Sequence, residues 1–174
     1  ATARTLTLAN VGPWMNGSQY QVVLTQGSPS NDSKTSRTAT LTVSGASPTL
    51  ATPVLSDLTF GMSLGDGVTL AGGYNPTGTL TFALFGAGDA TCSGTPVFTS
   101  TVAVSGNGVY VSSTFTPTTV GTYQWTITYS GDANNNTASV VCGTNGQSVT
   151  VTQASQSIAF GAAPSVNIGG SGTV

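Results

Sequence analysis

The 174-residue chain carries 3 Lys+Arg, 5 Asp+Glu and no His, giving a net charge of −2 and 5% charged residues, where an ordinary soluble protein has about 25%. Every acidic residue is Asp, and roughly fifty residues are Thr or Ser, about twice the usual share. Such a composition offers no electrostatic source for binding a phosphate backbone, few parts for acid–base or nucleophilic catalysis, and too few helix-favouring surface residues for a helical protein.

Taken in chain order, the hydrophobic period is two almost throughout. Leu6 and Leu8 share one face of a first candidate strand, residues 5–10. Tyr20, Val22 and Leu24 repeat the pattern, as do Ala39, Leu41 and Val43 with Thr40 and Thr42 opposite. Residues 45–53, rich in Pro, Ser and Thr, read as a linker. Residues 54–60 and 68–70 are short candidates. Leu80, Phe82 and Leu84 make one apolar face; Phe98, Val102 and Val104 make another; Val109, Val111 and Phe115 make a third, which puts Tyr110 on the polar side. The clearest alternation places Tyr123, Trp125, Ile127 and Tyr129 inward, with Thr122, Gln124, Thr126 and Thr128 outward. Val149 and Val151 close the set. Turn signals at Gly65-Asp-Gly67, Asn75-Pro76, residues 86–89, Gly106-Asn-Gly108 and Gly131-Asp132 separate the strands at sandwich-like spacing. Polar residues alternating outward predict half-buried antiparallel strands packed as two facing sheets.

Residues 54–152 hold enough strands for one complete domain. Residues 1–44 hold three, too few for a sheet that stands alone, and residues 153–174 hold one or two, at 157–160 and 166–168. Both ends read as pieces of neighbouring domains, as in a window on a tandem array. The two cysteines, Cys92 and Cys142, favour one disulfide and an oxidising compartment; two buried free thiols are the alternative. The apolar runs are far shorter than the ~20 residues of a membrane-spanning helix.

The middle unit resembles the bacterial immunoglobulin-like repeats of large secreted and surface proteins. The resemblance rests on Pro76-Thr-Gly-Thr-Leu-Thr-Phe82, Asp89-Ala-Thr-Cys-Ser-Gly-Thr-Pro-Val-Phe98, Phe115-Thr-Pro117, Gly121-Thr-Tyr-Gln-Trp125, Tyr129-Ser-Gly-Asp-Ala-Asn-Asn135, Cys142 and Ser148-Val-Thr-Val151. It implies an all-β, immunoglobulin-like antiparallel β-sandwich in tandem arrangement, acting as a spacer or adhesive module. Residues 1–44 look like the back half of another such repeat: strand E at 6–11, F at 20–24 with Tyr20 as corner tyrosine, and G at 38–43. Gln156-Ser-Ile-Ala-Phe-Gly161 looks like the first strand of a following one. Antibody-type domains keep a cysteine two residues past the corner tyrosine; Val22 and Trp125 stand there here. Trp125 is therefore expected to fill the core, with Tyr20 and Tyr123 as its structural companions. Cys92–Cys142 is then expected to tie the loop after strand C to the stretch before strand G.

Asp32, Asp57, Asp66, Asp89 and Asp132 form no local Ca²⁺ loop, so they are expected to hydrogen-bond their own turns; convergence of carboxylates across a domain junction stays open. Lys34, the only lysine, falls in a polar hairpin loop at residues 28–37 and is expected to be solvated rather than cross-linked. A thioester would need Cys142 beside Gln147, but the disulfide is better supported. Trp14, Tyr74 and Tyr110 are the aromatic residues expected at the surface. Asn16, Asn31 and Asn135 begin glycosylation-type triplets, which arise by chance in so Asn/Ser/Thr-rich a chain.

These readings predict a non-catalytic structural module of an extracellular bacterial surface protein (a stalk, an adhesin or a self-assembling filament subunit), secreted or on the cell surface, with no catalytic residue, cofactor or metal. Expected partners are other copies through strand complementation between residues 157–174 and 1–44, or a host or surface glycan or protein; nucleic acid and membrane insertion are not expected. The alternative is a carbohydrate- or protein-binding accessory module of a secreted enzyme, with Tyr74, Asp89 and Asn135 on its recognition loops.

Overall fold

The structure is a computed structural model, and it describes residues 5–25, 32–144, 146–162 and 165–171. β-Branched Thr and Val, abundant here, favour extended backbone, and the described residues are all-β apart from one 3-10 turn, Pro13–Met15. The strands are β1 (Gln19–Tyr20), β2 (Val23–Thr25), β3 (Ser33–Thr35), β4 (Ala39–Thr40), β5 (Thr49–Ala51), β6 (Leu58–Thr59), β7 (Gly67–Ala71), β8 (Thr79–Phe85), β9 (Phe98–Ala103), β10 (Gly108–Val111), β11 (Gly121–Tyr129), β12 (Ala138–Val140) and β13 (Ser148–Thr152).

Two sheets build the body. One runs β10-β7-β5; the other runs β6-β13-β11-β8-β9, with β12 beside the far half of β11. All these pairings are antiparallel except β6 with β13. A single core joins both sheets: Val68 and Leu70 from β7, Leu80, Phe82 and Leu84 from β8, Tyr123, Trp125, Ile127 and Tyr129 from β11, and Val140, Val149 and Val151 from β12 and β13. Trp125 is wholly buried and meets Phe98 edge-on at 6.1 Å between ring centroids, an arrangement the ring quadrupoles favour. Tyr123 makes the corner: its hydroxyl donates to the Thr119 carbonyl at 2.9 Å.

The disulfide forms between Cys92 and Cys142. It joins the loop between β8 and β9 to Cys142, in a detour interposed between β12 and β13. Opposite that detour β11 passes without a break, from Ile127 paired with Val140 to Gln124 paired with Ser148.

Several expectations need correction. Residues 5–10 form no strand. The pattern from Tyr20 to Leu24 is split: β1 pairs with β4, and β2 pairs with β3. Lys34 lies on β3 opposite Leu24, not in a loop, though it is exposed as expected; part of the expected hairpin loop, including Asn31, lies outside the described residues. Tyr20 is only half-buried and stands apart from the core cluster. The 45–53 segment carries β5, whose pairing with β7 makes it an edge of the first sheet, so the packed unit begins before residue 54. Residues 153–162 and 165–171 form no strand, and Ile158 and Phe160 are each 84% exposed.

The face of β10 is inverted. Tyr110 stands opposite Val68 and packs against the core, whereas Val109 and Val111 are 72% and 64% exposed. Pairing sets this parity: Val68 points inward, so its cross-strand partner must as well. The phenol is accommodated because its hydroxyl donates to the Gly106 carbonyl at 2.7 Å and accepts from Ser105 N–H at 2.9 Å.

Candidate functional site at one loop end

Two loops, residues 72–76 and 131–136, meet at one end of the packed sheets, and side-chain amides fix their backbones. Asn135 is buried. Its Oδ1 accepts the Tyr74 N–H at 2.7 Å and its Nδ2 donates to the Tyr74 carbonyl at 3.0 Å, so the amide pairs with Tyr74 as a neighbouring strand would. Asn107 does the same for Gly73, accepting its N–H at 2.9 Å and donating to its carbonyl at 2.8 Å. Asp132 gathers the rest: it accepts from Thr77 N–H at 2.7 Å, Asn134 N–H at 2.8 Å and Asn135 Nδ2 at 2.8 Å. The Thr77 and Asn134 N–H groups hold its carboxyl well below the usual carboxylate range. Tyr129 completes the set, donating to the Thr77 carbonyl at 2.8 Å; burial first, then the nearby Asp132 charge, push its hydroxyl pKa up. Gly131 is required for the turn: its φ is +69°, and a Cβ there would come within 2.8 Å of the Asn135 carbonyl oxygen.

Residues 12–16 and 43–47 sit against this end. Ala46 N–H donates to the Asn134 carbonyl at 2.8 Å, Asn136 N–H donates to the Ala46 carbonyl at 2.8 Å, and Asn136 Nδ2 reaches Ser47 Oγ at 3.1 Å. The Trp14 indole folds over Gly12, where any side chain would collide with it, and stands 6.4 Å from the Tyr74 ring at a 52° tilt. Pro13, Asn16, Val43, Ser44 and Gly45 face Ala133 and Asn134 across a cleft of about 190 Å³.

The residues expected on recognition loops therefore divide. Tyr74 and Asn135 come together, but Asn135 is structural and buried, which also closes its glycosylation-type triplet. Asp89 belongs to the opposite end, in the disulfide-bearing loop. There it accepts Gly94 N–H at 2.9 Å and Ser93 N–H at 3.1 Å, bonds that hold its carboxyl below the usual range. Asp89 and Asp132 serve their own turns, as expected. Tyr110 is half-buried and packs against the core. Among the described residues no three His, Cys, Asp or Glu side chains group as a metal site, and no helix is long and apolar enough to cross a membrane.

Asp66 departs from its expected role. It does accept the Gly67 N–H at 2.7 Å, but it is buried, and its Oδ2 has no hydrogen-bond partner. The wholly buried Gln147 brings its amide close to this carboxyl without an aligned hydrogen bond, and Trp125 Nε1 is likewise unpaired in the same core. Burial pushes the Asp66 carboxyl up to about 6, against the pull of Gly67 N–H and the Gln147 amide. Gly65-Asp-Gly67 carries only a turn signal in sequence; Ser112, across the sheet, is what draws the aspartate inward by accepting its backbone N–H at 3.0 Å.

No protein-family model matches the chain, and no curated protein sequence does.

Proposed function

We propose that the chain is a non-catalytic structural module of an extracellular bacterial surface protein, of stalk, adhesin or filament type, built from immunoglobulin-like sandwiches in tandem. The seating of residues 12–16 and 43–47 on the loop end of the sandwich supports this reading best. That contact is made of backbone hydrogen bonds and an aromatic pair, and a joint between successive units would need a contact of this kind. The disulfide is compatible with an oxidising, extracellular setting. The loop end is rigid because amide side chains clamp its backbone, which suits a load-bearing joint. Electron microscopy of the native material is the test. Elongated stalks or filaments with a regular repeat are expected. Compact single particles that bind a polysaccharide, with binding lost in Tyr74→Ala, would overturn the reading in favour of an accessory binding module.

A further inference from the structure

Among the described residues, the longest strand at an open sheet edge is β9. It closes the order β6-β13-β11-β8-β9 and pairs with β8 alone. Just past its end, Val104 N–H donates to the Gly78 carbonyl at 2.9 Å. Val102 stands opposite Leu80, Ser100 opposite Phe82 and Phe98 opposite Leu84, so the backbone groups of these alternate residues turn toward β8. Those of Thr99, Thr101 and Ala103 therefore turn outward, and the same three residues are exposed.

Natural sheets guard such an edge with a very short strand, a Lys, a Pro or a bulge. β9 has none of these. It is 6 residues long, whereas every other edge strand among the described residues has 4 or fewer. Each of its residues is paired with β8 without interruption. No residue from 90 to 131 is charged, and none within β9 is Pro. The other edges are better protected. Pro53 follows β5, the disulfide detour follows β12, and beyond β10 the Ser113 N–H is tied back to Ser100 Oγ at 3.0 Å.

We propose that β9 pairs with β9 of a second copy of this chain, antiparallel about a two-fold axis at Thr101. In this register Thr101 exchanges both N–H···O bonds with Thr101 of the second copy, and Thr99 does so with Ala103 of the second copy. A strand paired with itself uses one edge twice and closes at two chains. The side chains brought together on the outer face are small and uncharged, Thr against Thr and Thr against Ala, and cross-strand threonines hydrogen-bond. On the inner face, Phe98 and Val102 are only half-buried in the single chain and gain cover from the second copy. An uncharged edge of small side chains has little with which to select a foreign peptide, whereas in this register it is its own complement. The inference goes beyond the structural-module reading and does not require it.

Sedimentation of the full chain over a range of concentrations is the test, with a monomer–dimer equilibrium expected. The two Thr101 Cα atoms would lie about 5.5 Å apart across the axis, so Thr101→Lys or Thr101→Asp sets like charges against each other. Each variant should sediment as a monomer at concentrations where the parent is mostly dimer, and an equal mixture of the two variants should recover the dimer. Thr101 is exposed, so on dilute protein neither substitution should move the melting temperature by more than about a degree. A parent chain that stays monomeric throughout leaves the edge to a strand of another protein and overturns the pairing. A dimer that survives Thr101→Lys, or a mixture that stays monomeric, overturns it too. Polysaccharide binding through Tyr74 would remove the structural-module reading and leave the pairing untouched.

Discussion

Two buried residues with different chemistry set the strength of the core. Trp125 contributes the largest wholly buried side chain, so Trp125→Ala should cost about 3–5 kcal/mol, read as a fall in the chemical-denaturation midpoint. Its Nε1 donates to nothing; Trp125→Phe therefore loses volume but no hydrogen bond and should cost well under half as much. Asp66 acts through protons. Its carboxyl titrates near 3.8 unfolded and about 6 in the fold. Between those values the folded state holds a proton the unfolded chain has released, so this group's contribution is complete below about 3.8 and is lost as pH rises through 6. Asp132 and Asp89 have the opposite sign: their depressed values stabilise the fold above 3.8 and stop doing so as pH falls. The melting temperature should rise from neutral pH to about 4.5 and then fall on further acidification. Asp66→Asn should flatten the rise and leave the acid-side fall. The inward role of Trp125 was legible from strict alternation along 122–129, whereas that of Asp66 was not, because Gly65-Asp-Gly67 reads as a turn and its burial depends on Ser112 and Gln147, both distant in sequence.

At the level of elements, alternation produced a strand only where a partner strand lies beside it. Residues 79–85, 98–103, 121–129 and 148–152 each have one apolar face and matching partners. Residues 5–10 and 157–160 alternate equally well but have no strand beside them, and a lone strand leaves its hydrogen bonds to water. β10 shows the converse: its two valines look like the buried face, yet register with β7 turns Tyr110 inward. The disulfide is also an element-scale feature. It ties two excursions from the sheet, the loop after β8 and the detour before β13, and none of the core strands depends on it for pairing. Reduction should remove up to roughly 4 kcal/mol in the loop-entropy account. The melting temperature should fall while the far-ultraviolet circular dichroism keeps its β form; unfolding on reduction at room temperature would contradict this.

For the whole molecule, the contrast lies between two packed sheets with a continuous core and an N-terminal region outside it. Leu6, Val22, Val23 and Leu24 are 58–68% exposed, and among the described residues β1 to β4 pair as two separate two-stranded ladders. Backbone amides in residues 18–25 and 33–41 should therefore exchange hydrogen orders of magnitude faster than those of β8 and β11. Mass-spectrometric exchange on the intact chain checks this, and equal protection in both regions would show a shared core. Breaking the Asn135 clamp with Asn135→Ala should speed exchange at residues 72–76 and 43–47 together, since one amide holds Tyr74 and the loop on which Ala46 rests.

Composition and period, which act residue by residue, were enough to determine an all-β chain and an inward row at Tyr123, Trp125, Ile127 and Tyr129; they favoured a Cys92–Cys142 disulfide over two free thiols, and the structure decided it. Tertiary structure alone decided which face of β10 turns in, that residues 49–51 belong to a sheet edge, that Asp66 is buried, and that Tyr74 and Asn135 meet while Asp89 lies at the far end. Each of these depends on a cross-strand or loop partner many residues away, and short-range pattern carries no information about which distant backbone will supply the missing hydrogen bonds.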